Sequence, residues 1–238
     1  MGGSDTAAAT PPWSFTIDDL KRALFLLLLA TSAYATDPLI VRIGASATAL
    51  KTGDYAGALK IDERLIRDML DRLGPGQEES KWFAVAVVHK AVALAGLGRE
   101  DDAIWYWHVA LNILPAIAET DMSMFGAPAV FLKQHPLQHP EIPLVAWNVK
   151  PPSTRTRVQP RYPLGMRTFG VTDIAIVIQA VIDKEGNVRD IEVKRAPPTA
   201  TLTFAALEAL RQWKFHPATI DGKAIDVAFN LTANFKLK

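Results

Sequence analysis

Cysteine is absent from the 238 residues. That absence excludes disulfides, thiolate zinc sites and thiol catalysis together, and says nothing of the compartment, since cytosolic and periplasmic proteins both manage without it. An excess of either charge is missing too: 26 Lys and Arg stand against 25 Asp and Glu, a formal net charge of +1. A nucleic-acid binder shows a basic face or stripe, so nucleic acid is not expected as a partner. The chain shows no plausible nucleophile–base pair, glycine-rich phosphate loop or metal-ligand cluster, so neither an enzyme nor a cofactor is expected, and catalytic and metal residues are both set at none. His135 and His139 have the interval of helical metal ligands, but Pro136 and Pro140 follow them and disfavour the helix that the interval requires. What is present is ordinary for a globular protein, 49% hydrophobic and 21% charged residues, in a length that suits two small domains or one large one.

The first long apolar run is Ala23 to Ala30, leucine-rich, preceded by Lys21-Arg22 and followed by Ala33-Tyr34-Ala35. A basic pair, a short apolar core and an Ala-x-Ala end make the three-part pattern of a secretory signal peptide. The uncharged stretch from Ala23 to Thr36 is too short for a helix crossing a ~30 Å hydrocarbon core, which needs about 20 residues. We expect cleavage after Ala35 and a periplasmic chain. The alternatives are an uncleaved anchor, which would hold the protein in the inner membrane facing the periplasm, and a buried helix of a cytosolic protein.

Residues from about Pro38 to Pro115 read as helices. Gly98, Ala103, Trp107, Ala110 and Pro115 follow the intervals of a tetratricopeptide repeat. Each position has a physical reason: Gly98 takes positive φ at a turn, Ala103 and Ala110 let two helices approach, Trp107 fills the groove beside them, and Pro115 stops the second helix. The preceding helix, about Glu79 to Leu97, carries Phe83, Val87, Ala91 and Leu94 on one face. A second window, Gly53 to Leu59, matches weakly. The expectation is an all-α, helical-hairpin, tetratricopeptide-like unit over residues 36–119, either a packing unit or a module for protein–protein interaction. Trp82, Trp105, Tyr106 and Trp107 at helical spacing read as core rather than as a ligand cage.

From residue 120 to 156 periodicity fades and prolines recur, which predicts a connector of extended chain. Beyond it the pattern changes. Thr172 to Asp183 is rich in β-branched residues and reads as a strand, Lys184 to Asn187 as a hairpin turn, and Val188 to Arg195 as a second strand. Thr201 or Thr203 caps a helix reaching about Lys214, with Phe204, Leu207, Leu210 and Trp213 as its buried stripe and Glu208 and Arg211 facing water. The last strand begins at Val227. It turns Val227, Phe229, Leu231, Phe235 and Leu237 one way and Asn230, Thr232, Asn234 and Lys236 the other. The fold class is therefore α+β over residues 157–238: strand-strand-helix-strand, a three-stranded antiparallel sheet with one helix.

Gln159-Pro160-Arg161-Tyr162-Pro163, then Arg167, Gly170, Asp183, Gly186, Val188, Ala205-Ala206-Leu207, Ala209, Arg211, Trp213, Phe215, Pro217, Ala218, Gly222 and Phe235 form an ordered set. This set resembles the carboxy-terminal domain of TonB, the periplasmic energy transducer of Gram-negative bacteria. The resemblance implies a binding domain without catalytic chemistry. It would add an extended segment of an outer-membrane receptor, the TonB box, as a strand to its sheet, in TonB-dependent transport. It puts Gln159 at the contact with that segment and extends the partner-binding set to Arg161 and Tyr162. Tyr162, with Pro163 and Trp213, reads as a core and hinge residue more than as a direct ligand contact. Asn230, Thr232 and Asn234 complete the set as the polar face of a last strand whose edge can template a partner or a homodimer. An energy transducer of this kind also meets an ExbB–ExbD motor through an uncleaved membrane helix and a long proline-rich spacer. A cleaved leader (residues 1–35) and a short connector favour instead a binding protein, and a scaffold or adaptor acting through the helical region without energy transduction is the alternative. Expressed in a Gram-negative host, the soluble periplasmic product is expected to begin at Thr36 by amino-terminal mass spectrometry; an intact leader in the inner-membrane fraction would identify an anchor.

Overall fold

A computed structural model describes residues 38–74, 77–137, 148–167, 173–197 and 199–235. The expected leader lies outside the described residues, as do His139, Gly170, Lys236 and Leu237. Among the described residues no helix is long and apolar enough to cross a membrane.

Two helical hairpins open the structure. Helices α1 (Pro38–Lys51) and α2 (Tyr55–Arg72) turn at Gly53, and Asp54 caps α2 by accepting the Gly57 N–H at 2.9 Å. Helices α3 (Gln77–Gly96) and α4 (Glu100–Ile113) turn at Gly98, whose φ of 72° is the left-handed value expected there. Glu100, Asp101 and Asp102 place negative charge on the positive end of α4. The α3 sequence from Phe83 to Val88 and from Ala91 to Leu94 has no polar face apart from His89 and Lys90, and it is buried against α1, α2 and α4. A helix that is apolar all round belongs inside a core. Ala103 and Ala110 are fully buried beside Trp107, and Trp105 and Tyr106 join the same core. Beyond α4 the chain makes two short 3-10 turns, Pro115–Glu119 and, within the stretch expected to be extended connector, Ser123–Phe125. A further helix, α5 (Ala127–Lys133), follows and packs on α3. Its apolar positions are too few for helical periodicity to show in the sequence.

The carboxy-terminal part begins with β1 (Val149–Lys150), β2 (Ser153–Thr156) and the short helix α6 (Leu164–Arg167). Then come β3 (Ile174–Ile182), β4 (Val188–Arg195) and α7 (Ala200–Leu210). Three short strands, β5 (Lys214–His216), β6 (Ala218–Ile220) and β7 (Lys223–Ile225), precede the last one, β8 (Val227–Phe235). The principal sheet is antiparallel with the order β4-β3-β8. Nine unbroken pairs, from Ile174–Phe235 to Ile182–Val227, join β3 to β8, whereas the β3–β4 ladder is bulged. Strand β2 pairs with β5, and β6 pairs with both β1 and β7. Gly186 shows why its turn needs glycine. Its φ is 82°, a Cβ there would lie 2.0 Å from the Phe215 carbonyl oxygen, and the Phe215 N–H donates to the Gly186 carbonyl at 2.9 Å. The hairpin tip is thereby fastened to β5.

Helix α7 starts earlier and ends sooner than its residues suggested, and its cap is Thr199, which makes no side-chain capping bond. Trp213 lies beyond the helix, buried. The larger correction concerns Glu208 and Arg211, expected to face water. Both face the helical hairpins: the Tyr106 hydroxyl donates to Glu208 Oε2 at 3.2 Å, and the Arg211 guanidinium pairs with Asp102.

One buried acid sits inside the helical part. Asp62 on α2 is fully buried beside Ser46, and neither of its carboxylate oxygens meets hydrogen-bond geometry. Burial away from water pushes its pKa up from 3.8 to about 8. The folded value exceeds the unfolded one, so the contribution of neutral Asp62 is whole below about pH 4 and is lost as the pH rises through about 8. Asp62→Asn is expected to gain stability over the wild type across that window, by at most about 1.4 kcal/mol per pH unit in urea denaturation. Parallel pH–stability curves would show that Asp62 titrates as an ordinary carboxylate.

Candidate protein-binding edge

Each strand that borders a sheet presents a row of main-chain donors and acceptors. The principal sheet has two such borders, and the structure treats them differently. At β4, the Asn112 amide from α4 stands in for a neighbouring strand. Its Nδ2 donates to the Ile191 carbonyl at 2.9 Å, and its Oδ1 accepts the Val193 N–H at 2.6 Å. A second Nδ2 bond, to the His108 carbonyl at 2.9 Å, holds the amide in that orientation.

At β8 no described strand pairs on the outer side. The Arg157 guanidinium reaches the strand instead, Nη2 donating to the Thr232 carbonyl at 2.8 Å. That carbonyl therefore points away from β3, and in an antiparallel pair the N–H of the same residue points the same way. By alternation, Ala228, Asn230, Thr232 and Asn234 carry the outward main-chain groups. The Arg157 guanidinium also lies 4.6 Å from the centre of the Trp213 ring, and Trp213 Nε1 donates to the Val158 carbonyl at 2.8 Å. Further along, the Tyr162 ring meets Phe235 edge-on at 5.8 Å. The segment leading into the domain is thus tied to β8 near Thr232 and at its end.

The six residues proposed for partner binding fall into three places. Asn230, Thr232 and Asn234 are exposed on the open face of β8, opposite Gln179, Val177 and Ala175 of β3. Tyr162 is 5% exposed and its ring packs on Phe235. Gln159 and Arg161 are exposed, but line a cavity of about 290 Å³ between α2 and α7, with Arg67 and Asp71 on one wall and Phe204 and Glu208 on the other. The edge and the cavity lie on either side of the lead-in segment.

Between the two parts runs a half-buried polar seam. Lys90 Nζ sits 3.7 Å from the centre of the Tyr106 ring, the Arg211 guanidinium 5.3 Å from it, and Phe83 meets Phe204 edge-on at 5.2 Å. Burial pushes the Glu208 carboxyl up and the Lys90 ammonium down from their usual ranges, so each partly offsets the desolvation of the other. Asn112 and Arg157 were not among the sequence candidates. Asn112 is an unremarkable polar residue near a helix end, and Arg157 lies two residues before the Gln159 motif; both depend on long-range neighbours. Among the described residues no group of three His, Asp or Glu is placed to hold a metal ion. His135 Nδ1 donates to the Phe131 carbonyl at 2.8 Å.

The carboxy-terminal part is thus an α+β domain, a three-stranded antiparallel sheet covered by one helix, with one border covered and one without a described neighbouring strand. Residues 158–237 match the family of the Gram-negative bacterial TonB protein C-terminal. Two relatives share that region. Protein TonB of Vibrio cholerae is 33% identical over 89 residues, covering 37% of this chain and 36% of the relative. Protein TonB of Xanthomonas campestris pv. campestris is 32% identical over 85 residues, covering 36% of this chain and 38% of the relative. The chain thus spans little more than a third of the length of these curated relatives.

Asn112→Ala removes the strand mimic and leaves a donor and an acceptor of β4 without that partner. It is expected to cost about 1–3 kcal/mol in urea denaturation. Concentration-dependent association in sedimentation should accompany the loss, and an unchanged stability would show that water replaces the amide without penalty.

Proposed function

We propose that this protein binds extended segments of outer-membrane receptors, of the TonB-box kind, by taking them as an added strand on the outer side of β8, in TonB-dependent transport. The observation that carries the reading is the asymmetry of the sheet: β4 is covered by Asn112, while β8 is fully paired on one side and unpaired by any described strand on the other. Main-chain bonds to Asn230, Thr232 and Asn234 supply affinity, and their side chains flank the incoming strand. Arg157 gives up the Thr232 carbonyl as the segment docks. Gln159, Arg161 and Tyr162 act at one remove, Tyr162 by holding the end of β8 and the other two at the neighbouring cavity. Residues 1–35 form the leader, 36–119 the helical domain, 120–156 the connector and 157–238 the binding domain. With the leader cleaved the protein works in the periplasm without a covalent tie to an ExbB–ExbD motor. An uncleaved leader would make that motor a direct partner.

The test is a titration of the isotope-labelled chain with a synthetic TonB-box peptide, followed by amide NMR. Shifts are expected along Val227–Phe235, strongest at the alternate residues from Ala228 to Asn234. Thr232→Pro removes an outward donor without touching the β3 ladder and is expected to weaken binding at least about tenfold. Shifts confined to the helical hairpins would overturn the proposal.

A further inference from the structure

The cavity between α2, α7 and the lead-in segment has fixed walls, and they carry charge that no described residue answers. Its α2 wall presents Arg67, Leu70 and Asp71, which share one helix face by their three- and four-residue spacing. Its α7 wall is apolar at Phe204 and Ala205. The lead-in wall, which carries Arg161, is pinned at both ends. Trp213 Nε1 donates to the Val158 carbonyl at 2.8 Å, and Gly165 lies so near the end of α2 that a Cβ would stand 2.2 Å from the Leu73 carbonyl oxygen. Arg67, Asp71 and Arg161 are all exposed, and none makes an ion pair or a side-chain hydrogen bond with a described residue. Arg67 and Asp71 stand four apart, the spacing at which opposite charges on a helix commonly pair, yet they do not pair with each other. Glu208, the other acid on the walls, is already bonded by the Tyr106 hydroxyl at 3.2 Å.

We propose that this cavity binds a free α-amino acid with an apolar side chain. Arg67 and Arg161 hold its carboxylate, Asp71 its ammonium, and Leu70, Phe204 and Ala205 its side chain. Guanidinium groups match a carboxylate through paired N–H donors, so two arginines on separate walls grip it from two sides. An α-amino acid carries both charges on one carbon, which suits cations and an acid converging on one small space. A simple anion leaves Asp71 unanswered, an amine leaves both arginines so, and either end of a long peptide brings one of the two charges alone. A volume of about 290 Å³ is at the small end for ligand sites and suits a single residue. The bound molecule ties α2 to α7 and to the lead-in segment, and so stabilises the joint between the two parts. The site does not involve the outer side of β8, and its reading stands or falls apart from strand addition.

The test is a titration of the isotope-labelled full chain with leucine, with isocaproate, which lacks the ammonium, and isoamylamine, which lacks the carboxylate, as probes of each charge alone. Leucine is expected to shift the amides of Leu70, Gln159 and Ala205, to leave those of Ala228 to Asn234 in place, and to raise the melting temperature. Each analogue should bind at least about tenfold more weakly. Asp71→Asn and Arg161→Gln should each weaken leucine about tenfold, and Asp71→Asn should leave isocaproate binding unchanged. The analogues report on the unaltered protein, so the comparison holds whatever a variant does to folding. Leucine that moves none of these amides at millimolar concentration, an analogue with one charge that binds as tightly, or an Arg67→Ala/Arg161→Ala double variant that binds leucine as the wild type does, would overturn the proposal.

Discussion

Helix α7 has almost no solvent face, and the rest of the structure depends on that. Ten of its residues, all except Glu208, are buried. A surface helix on a sheet ordinarily keeps a polar stripe for water. Here one side of α7 packs on β8, and the other is covered by α3 and α4, with Phe83 against Phe204 and Tyr106 stacked near the same ring. The helical hairpins therefore complete the hydrophobic core of the sheet domain, and the apolar residues from Ala200 to Leu210 would face water without them.

Docking two layers on one helix also dictates where polar groups can go. Glu208 and Arg211 lie where a free domain would expose them. In this chain they meet Tyr106, Lys90 and Asp102 across the seam. Partly desolvated charges of both signs held together limit the penalty that each would suffer alone. The aromatic ring of Tyr106 adds a polarisable face to which both Lys90 and Arg211 are attracted. The seam thereby fixes how the two parts meet, while apolar burial supplies the driving force.

The same contact makes the sheet one-sided. Because α4 lies along β4, Asn112 can reach two main-chain groups that would otherwise invite another strand. Strand β8 lies across the sheet from the hairpins, held there by Arg157, Trp213 and Tyr162 of its own domain. An open sheet edge, a cavity beside the lead-in segment and a cleft at the start of α7 thus surround one helix. The cavity and the cleft owe their form to the second layer of helices.

Local pattern was enough for much of this. The alternation of Ile174 to Ile182 and of Val227 to Phe235, the turns at Gly98 and Gly186, and the small residues around Trp107 follow from side-chain period and backbone sterics, which act over a few residues. Their order along the chain carried the resemblance that residues 158–237 bear out. Helix α5 and the short strands β5 to β7 were not legible, because elements of so few residues hold too little periodicity and form through pairing with distant chain. The split of Gln159 and Arg161 from Asn230, Thr232 and Asn234 was likewise settled only in three dimensions, whereas the core reading of Tyr162 agrees with its burial. The roles of Asn112, Arg157, Glu208 and Arg211 rest on contacts between residues 75 to 109 positions apart. Sequence alone determines which faces must be hidden; tertiary structure decides what hides them, because burial is a property of the neighbours and not of the residue.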